Sequence, residues 1–183
     1  MSKVNLTKYN NKLTKGNQLK RLLWSTTWFL LARQFPRSSV MKWKLFLLRL
    51  FGAKIHKTAN VYSTVKIYAP WNLEMHEYSC LAPEVDCYNV DKIVIGAHST
   101  ISQKSYLCSA SHDVTKSDIP LITAPIIIKD QVWIGANVFL GMGVTINTGA
   151  VIGATASVYK DIEAWTIVGG NPAKFIKPRV LDE

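Results

Sequence analysis

His112, in the run Ser111-His112-Asp113, is the residue of this chain best suited to chemistry. Imidazole exchanges protons near neutral pH, which makes a loop histidine a candidate general base. Residues adjacent in sequence cannot line up as a hydrolytic triad, so Ser111 and Asp113 do not turn His112 into part of a serine hydrolase. Cys108 lies just upstream, but no base stands at a readable spacing from it, and it is not read as a nucleophile. His56 and His76 are set 20 residues apart. Regularly spaced histidines raise the question of metal, and zinc needs three or four convergent ligands.

The elements that must position these residues follow from a repeat. A branched apolar residue recurs every six positions at Ile134, Leu140, Ile146, Ile152 and Val158, often followed by a small residue as in Ile134-Gly135. Earlier, the same beat gives the triplets Ile55-Val61-Ile67, Met75-Leu81-Cys87 and Ile95-Ile101-Leu107, each 20 residues after the last. A period of six is neither helical nor a simple alternation. It is the mark of a parallel β-helix in which three hexads form one triangular coil. The recurring apolar residue points inward, and coils stack at about 4.8 Å. No coil can bury its own core, so stacking supplies the stability. The small residue after each beat is expected to accommodate unusual backbone angles at the corner. Two extra residues per early coil fall at Ala69–Asn72 and Asn89–Lys92. The beat lapses over residues 109–125, and His112 lies inside the lapse, where an extruded loop is expected.

Charge is distributed unevenly. The chain of 183 residues carries a net +10, yet residues 1–73 hold 14 Lys or Arg and no Asp or Glu. The remainder, with 8 basic and 12 acidic residues, is net −4. A basic segment suits an anionic partner. No nucleic-acid module is recognisable, so a membrane surface or a phosphate-bearing substrate is the better fit. Residues 1–17 read as loosely ordered. Helices are expected near Gln18–Arg33, closed by Pro36, and near Ser39–Phe51, ended by Gly52. On the first, Leu19, Leu22, Leu23, Thr26, Leu30 and Arg33 share a face; on the second, Trp43, Phe46, Leu47 and Leu50 do. The uncharged run Leu22–Ala32 is half the ~20 residues needed to cross a bilayer. These helices either cap the coil stack or lie in a membrane interface through residues 18–51. Three cysteines (Cys80, Cys87, Cys108), with no signal peptide, fit a reducing cytoplasm, and Cys87 falls on the inward beat.

Five segments carry a family resemblance: Phe51–Ile55, Pro70–Glu74, Tyr106–Asp113, Val132–Ala136 and Gly169–Lys174, the last reading Gly-Gly-Asn-Pro-Ala-Lys. They resemble the hexapeptide-repeat acyltransferases, and within them the acetyltransferases of bacterial polysaccharide biosynthesis of the colanic acid type. The nodulation, maltose and galactoside acetyltransferases share such features. The resemblance implies a mainly β fold, a left-handed parallel β-helix, spanning residues 54–178, after a basic helical segment at 1–53 and before a tail at 179–183. It also implies a homotrimer with sites between subunits, acetyl-CoA as donor, no metal requirement, and a saccharide hydroxyl as acceptor.

Carried over residue by residue, His112 matches the family's catalytic histidine and Asn89 an acceptor contact. Trp133, Ala136, Ala154, Tyr159 and Lys160 match contacts along the cofactor arm, with Ala136 offering its backbone. Lys174 and Lys177 match the basic residues that meet the nucleotide phosphates, where cationic side chains are required. Tyr159 departs from the family, which usually has a small hydroxyl residue there. Two rivals share the fold: a non-enzymatic assembly module, and a metalloenzyme like the γ-class carbonic anhydrases. His56 and His76 directly follow inward residues, should point outward, and do not reach His112.

Overall fold

The six-residue beat becomes a column of buried side chains. The computed structural model describes residues 3–10, 13–35 and 41–182. From Lys54 onward the chain winds into a parallel β-helix with three sheet faces. Lys54–Ile55, Leu73–Met75, Ile93–Ile95, Ile126–Ile128 and Thr145–Ile146 make face one. Face two stacks Asn60–Val61, Cys80–Leu81, Thr100–Ile101, Trp133–Ile134, Val151–Ile152 and Thr166–Gly169, closed by the antiparallel Lys174–Pro178. Face three stacks Lys66–Ile67, Asp86–Tyr88, Tyr106–Cys108, Phe139–Leu140 and Ser157–Val158. Every beat residue named from the sequence is buried. The register pairs Ile55 with Met75 and Ile67 with Cys87, so the 20-residue coils stack beat on beat.

The corners correct one expectation. Positive φ falls three residues after the beat, not one: Asn137 after Ile134 has φ 54° and His98 after Ile95 has φ 57°. The small residue directly after the beat has a different cause. A Cβ on Gly135 would stand 2.6 Å from the Ala154 nitrogen in the next coil, closer than atoms can approach. The two-residue insertions sit where expected, the first as a short 3₁₀ turn over Pro70–Asn72.

The helical segment closes the open end of the stack. Each coil donates its N–H groups to the next, as from Lys66 to Val85 O (2.9 Å) and from His56 to Met75 O (2.8 Å). The first coil is thus left with outward carbonyls and nothing above it, and a buried sheet edge needs partners. Donors from the helices supply them. Trp24 Nε1 donates to Ile67 O (2.7 Å) and Trp28 Nε1 to Val65 O (3.2 Å), both from helix α1 (Lys15–Trp28). Arg49, on helix α2 (Met41–Leu50), donates through Nε and Nη2 to Ile55 O (3.0 and 2.8 Å). An end made only of acceptors favours a donor-rich cap, which is part of why this segment is rich in Trp and Arg and needs no carboxylates.

The cap uses a different face from the one the leucines marked. Trp24, Trp28 and Ala32 are buried, while Leu19, Leu22, Leu23 and Leu30 face outward. On α2, Leu47 is buried as well, but its expected companions Trp43, Phe46 and Leu50 are exposed. α1 runs on into a π-helical turn, Phe29–Arg33. Gly52 ends α2 at φ 92°, with Gly52 N–H on Arg49 O and Ala53 N–H on Leu48 O. The expected stop at Pro36 lies outside the described residues. No described helix is long and apolar enough to cross a membrane.

Candidate active site

His112 stands on a two-stranded antiparallel arm, not an irregular loop. Ala110–His112 pairs with Leu121–Thr123, His112 opposite Leu121, and Asp113 N–H bonds Pro120 O (3.0 Å). The arm leaves the edge between faces three and one. Its root is Ser109, whose hydroxyl lies 3.1 and 3.2 Å from the carbonyls of Tyr88 and Asp91 and accepts from Asp91 N–H (2.9 Å).

The His112 ring has a defined orientation. Its Nδ1 is 2.8 Å from Ile119 O. A carbonyl only accepts, so Nδ1 carries the proton and Nε2 presents its lone pair outward. Ile119 has φ 44°, an outlier for a β-branched residue, and such backbone costs about 1–3 kcal/mol. Strain of this kind concentrates at functional sites. Asp113 is turned away from the imidazole. Its Oδ1 accepts from Thr115 N–H (3.1 Å) and Thr115 Oγ1 (2.6 Å), bonds that hold its carboxyl below the usual range. Ser111-His112-Asp113 is therefore not a relay.

Two features here lie outside what the apolar beat announces. The N-terminal segment, expected to be loose, lies on the arm: Asn5 N–H bonds Ser117 O (2.8 Å), and the Tyr9 ring is 6.1 Å from the His112 ring. An aromatic column also runs down face three. Tyr68, Tyr88, Tyr106, Phe139 and Tyr159 follow one another with ring centroids 4.8, 6.3, 5.7 and 5.5 Å apart. Burial, and then the neighbouring Tyr68, raises the Tyr88 phenol above its ordinary range. The signal for this column was the spacing of aromatics beside the beat, one per coil. It also accounts for Tyr159 in place of a small residue, since Tyr159 ends the stack.

Asn89 corrects an expectation. It is fully buried, and both ends of its amide are spent on one residue of the coil above. Ala69 N–H donates to its Oδ1 (2.9 Å), and its Nδ2 donates to Ala69 O (2.6 Å). Asn72 Nδ2 adds bonds to Asn89 O and Val90 O (3.3 and 2.7 Å). Ala69, Asn89 and Ser109 occupy equivalent corners, so Asn89 clamps the column from which the histidine arm departs. It offers no face to an acceptor.

An open groove of about 530 Å³ lies nearby, between α1 and face three. Trp24, Trp28, Phe29, Tyr68, Asp86 and Tyr88 line it. Tyr88 belongs to both this groove and the coil whose carbonyl anchors Ser109.

The residues matched to the cofactor arm lie elsewhere on the prism. Trp133 is on face two, half-exposed at 51%. Ala136 and Ala154 sit on consecutive coils at the edge between faces two and three, joined by Thr155 N–H to Ala136 O (2.8 Å), which leaves the Ala136 N–H as the donor. Tyr159 and Lys160 follow the last strand of face three and line a cleft of about 360 Å³ with Thr166 and Phe175. Lys174 and Lys177 are exposed on the closing strand, opposite Gly169 and Ile167. Within one chain the His112 arm and the Ala136–Ala154 column occupy different edges, with face three between them.

His56 and His76 point outward and line one hollow with Glu74 and Asp130. His56 Nδ1 meets Thr58 Oγ1 (2.8 Å) and His76 Nε2 meets Glu74 Oε1 (3.1 Å). Among the described residues, no three His, Cys, Asp or Glu side chains form a group that could hold a metal ion.

No protein-family model matches the chain. Over 170 residues, covering 92% of this chain and 92% of the relative, it is 43% identical to the Escherichia coli (strain K12) protein named "Putative colanic acid biosynthesis acetyltransferase". Its structure is similar to that of a maltose O-acetyltransferase from Clostridium difficile 630, with a TM-score of 0.81 at 25% identity over 92% of this chain and 90% of that one. It is also similar to a hexapeptide-repeat-containing acetyltransferase from Vibrio cholerae solved with acetyl coenzyme A, with a TM-score of 0.80 at 25% identity over 93% and 92% of the two chains.

Proposed function

The chain belongs to the hexapeptide-repeat acetyltransferases and is an acyltransferase with acetyl-CoA as co-substrate, and from that premise we propose that it acetylates a saccharide hydroxyl with His112 as general base. The observation that carries the base assignment is the bond from Nδ1 to Ile119 O, which leaves Nε2 open on an exposed arm. Nε2 takes the proton of the acceptor hydroxyl as that oxygen attacks the thioester carbonyl. The C–O bond forms, the C–S bond breaks, and the proton passes from Nε2 to the departing sulfur. The maltose O-acetyltransferase and the colanic-acid relative support a saccharide acceptor.

With Asn89 withdrawn, the acceptor falls to the groove lined by Tyr68, Tyr88 and Asp86. Aromatic faces suit sugar rings, and a carboxylate can receive their hydroxyls. On the donor side, Trp133 and the Ala136 N–H flank the pantetheine arm, followed by Ala154, Tyr159 and Lys160. Lys174 and Lys177 meet the phosphates. Because the arm and this column lie on different edges, the site is completed by a neighbour: a homotrimer joins the His112 edge of one subunit to the donor edge of the next. The odd count of three cysteines fits a reducing cytoplasm for this reaction.

The test is turnover of acetyl-CoA by wild type and His112→Ala over a panel of sugar acceptors. A positioned base contributes about 10²–10⁴-fold, so a loss of that size is expected in kcat with little change in acetyl-CoA binding. Undiminished turnover by the variant removes His112 from the role.

A further inference from the structure

The outward stripe of the helical cap is a feature that the transfer reaction does not use. Leu19, Leu22 and Leu23 on α1 and Leu30 on the π-helical turn that continues it face outward, and Leu22 is 61% exposed. Phe46 and Leu50 extend the stripe on α2, where Leu50 is 66% exposed. From α2, Trp43 Nε1 donates to Leu31 O in the π-helical turn that continues α1 (2.8 Å), and within α2 the Trp43 ring stacks on Phe46 at 5.6 Å. The segment that bears the stripe is held in place by the packing of Trp24 and Trp28 on the coils.

We propose that this stripe docks the protein on the surface of an anionic bilayer, with α1 lying in the plane of the interface. Charge selects the occupant. Residues 1–73 contain no Asp or Glu, so the cations around the stripe meet no carboxylate within this segment. Two other cations of α1 turn toward the coils and meet neutral partners: Lys20 lies over the Trp71 ring at 4.0 Å and Arg21 over the Tyr68 ring at 4.4 Å. Such contacts leave the field of the segment positive, and juxtaposed Lys and Arg draw a polybasic surface to anionic lipid. Two copies meeting stripe to stripe would bring like charges together. Leu, Trp and Phe on one side with Lys and Arg at the margins is the composition of an interfacial helix. The stripe from Leu19 to Leu30 is about 16 Å long, enough to lie on a membrane and too short to span it. This contact does not depend on the role of His112.

The test is co-flotation of the full chain with vesicles of phosphatidylcholine alone and of phosphatidylcholine with phosphatidylglycerol, at low and high salt. Expected is at least about tenfold tighter binding to the anionic vesicles at low salt, weakening as salt screens the field. The double variant Leu22→Glu/Leu30→Glu is expected to lose more than about tenfold of that binding, with an unchanged melting temperature and acetyl-CoA affinity. Leu22→Gln/Leu30→Gln, which keeps helix propensity and adds no charge, is expected to weaken binding in the same direction. No flotation with either vesicle overturns the proposal, as does wild-type binding by both variants. A fall in particle mass in solution for the variants, without a change in vesicle binding, assigns the stripe to a second copy and also overturns it.

Discussion

Asn89→Ala separates a structural clamp from a substrate contact. The side chain makes two bonds to Ala69, one at each end of the amide. Truncation leaves Ala69 N–H facing a small void in a fully buried corner, while Ala69 O keeps its bond from Asn72 N–H (2.9 Å). A buried donor deprived of its partner costs about 1–3 kcal/mol and the lost bond to Ala69 O about 1 kcal/mol, so the change amounts to roughly 2–4 kcal/mol. For a chain of this size that lowers the melting temperature by roughly 10 °C. The assay is differential scanning calorimetry of wild type and variant, alongside KM for a sugar acceptor. The expected result is a large fall in melting temperature with any loss of activity in kcat, because the Ser109 root of the arm rests on the same column of corners. Asn89→Asp sharpens the test. A protonated acid can both donate to Ala69 O and accept from Ala69 N–H, but a carboxylate can only accept. Burial favours the neutral form and raises the folded-state pKa above the unfolded value. Asn89→Asp should therefore be more stable in mild acid and lose stability as pH rises through that interval. An unchanged melting temperature with an acceptor KM raised more than tenfold for Asn89→Ala would refute the clamp and restore Asn89 to the acceptor site.

Other expectations follow from the cap and from face one. Trp24→Phe keeps the ring bulk but leaves Ile67 O without its 2.7 Å donor, which should cost about 1–3 kcal/mol in urea denaturation. Equal stability of the two proteins would mean that the open end of the stack is satisfied otherwise. Glu74 is held below the ordinary carboxyl range, first by the hydrogen bond from Lys92 (2.8 Å) and then by His76. A depressed folded pKa stabilises above the unfolded value, near 4.5, and that contribution disappears as pH falls through the folded pKa. Glu74→Gln should thus be less stable than wild type at neutral pH by up to about 1 kcal/mol, with the difference vanishing in acid. A gap that persists in acid strong enough to protonate the folded-state carboxyl would point to lost packing instead.

Much of the fold was written in one dimension. In a solenoid the inward direction recurs at a fixed chain interval, so Ile55 through Val158 announced the core, the coil length and the break that carries His112. The absence of carboxylates before Glu74 needs no coordinates to see, but composition pointed to an anionic partner, and only the first coil's open carbonyls show what the Trp and Arg donors are for. What the sequence could not decide was which partner each outward or corner side chain would meet, because partners lie a coil away or come from the far end of the chain. Asn89 matched an acceptor contact by family resemblance, yet coil stacking set its amide against Ala69 and used both ends. α1 carries two apolar stripes. Its leucines were the more obvious, but the first coil's orphaned carbonyls require donors, and only the tryptophan stripe has N–H groups to give. The tautomer of His112 depended on the Ile119 carbonyl at the far side of the hairpin, and Tyr9 reached the ring from the opposite end of the fold. Periodicity fixes what points inward; hydrogen bonding between coils, satisfied only once they stack, decides the rest.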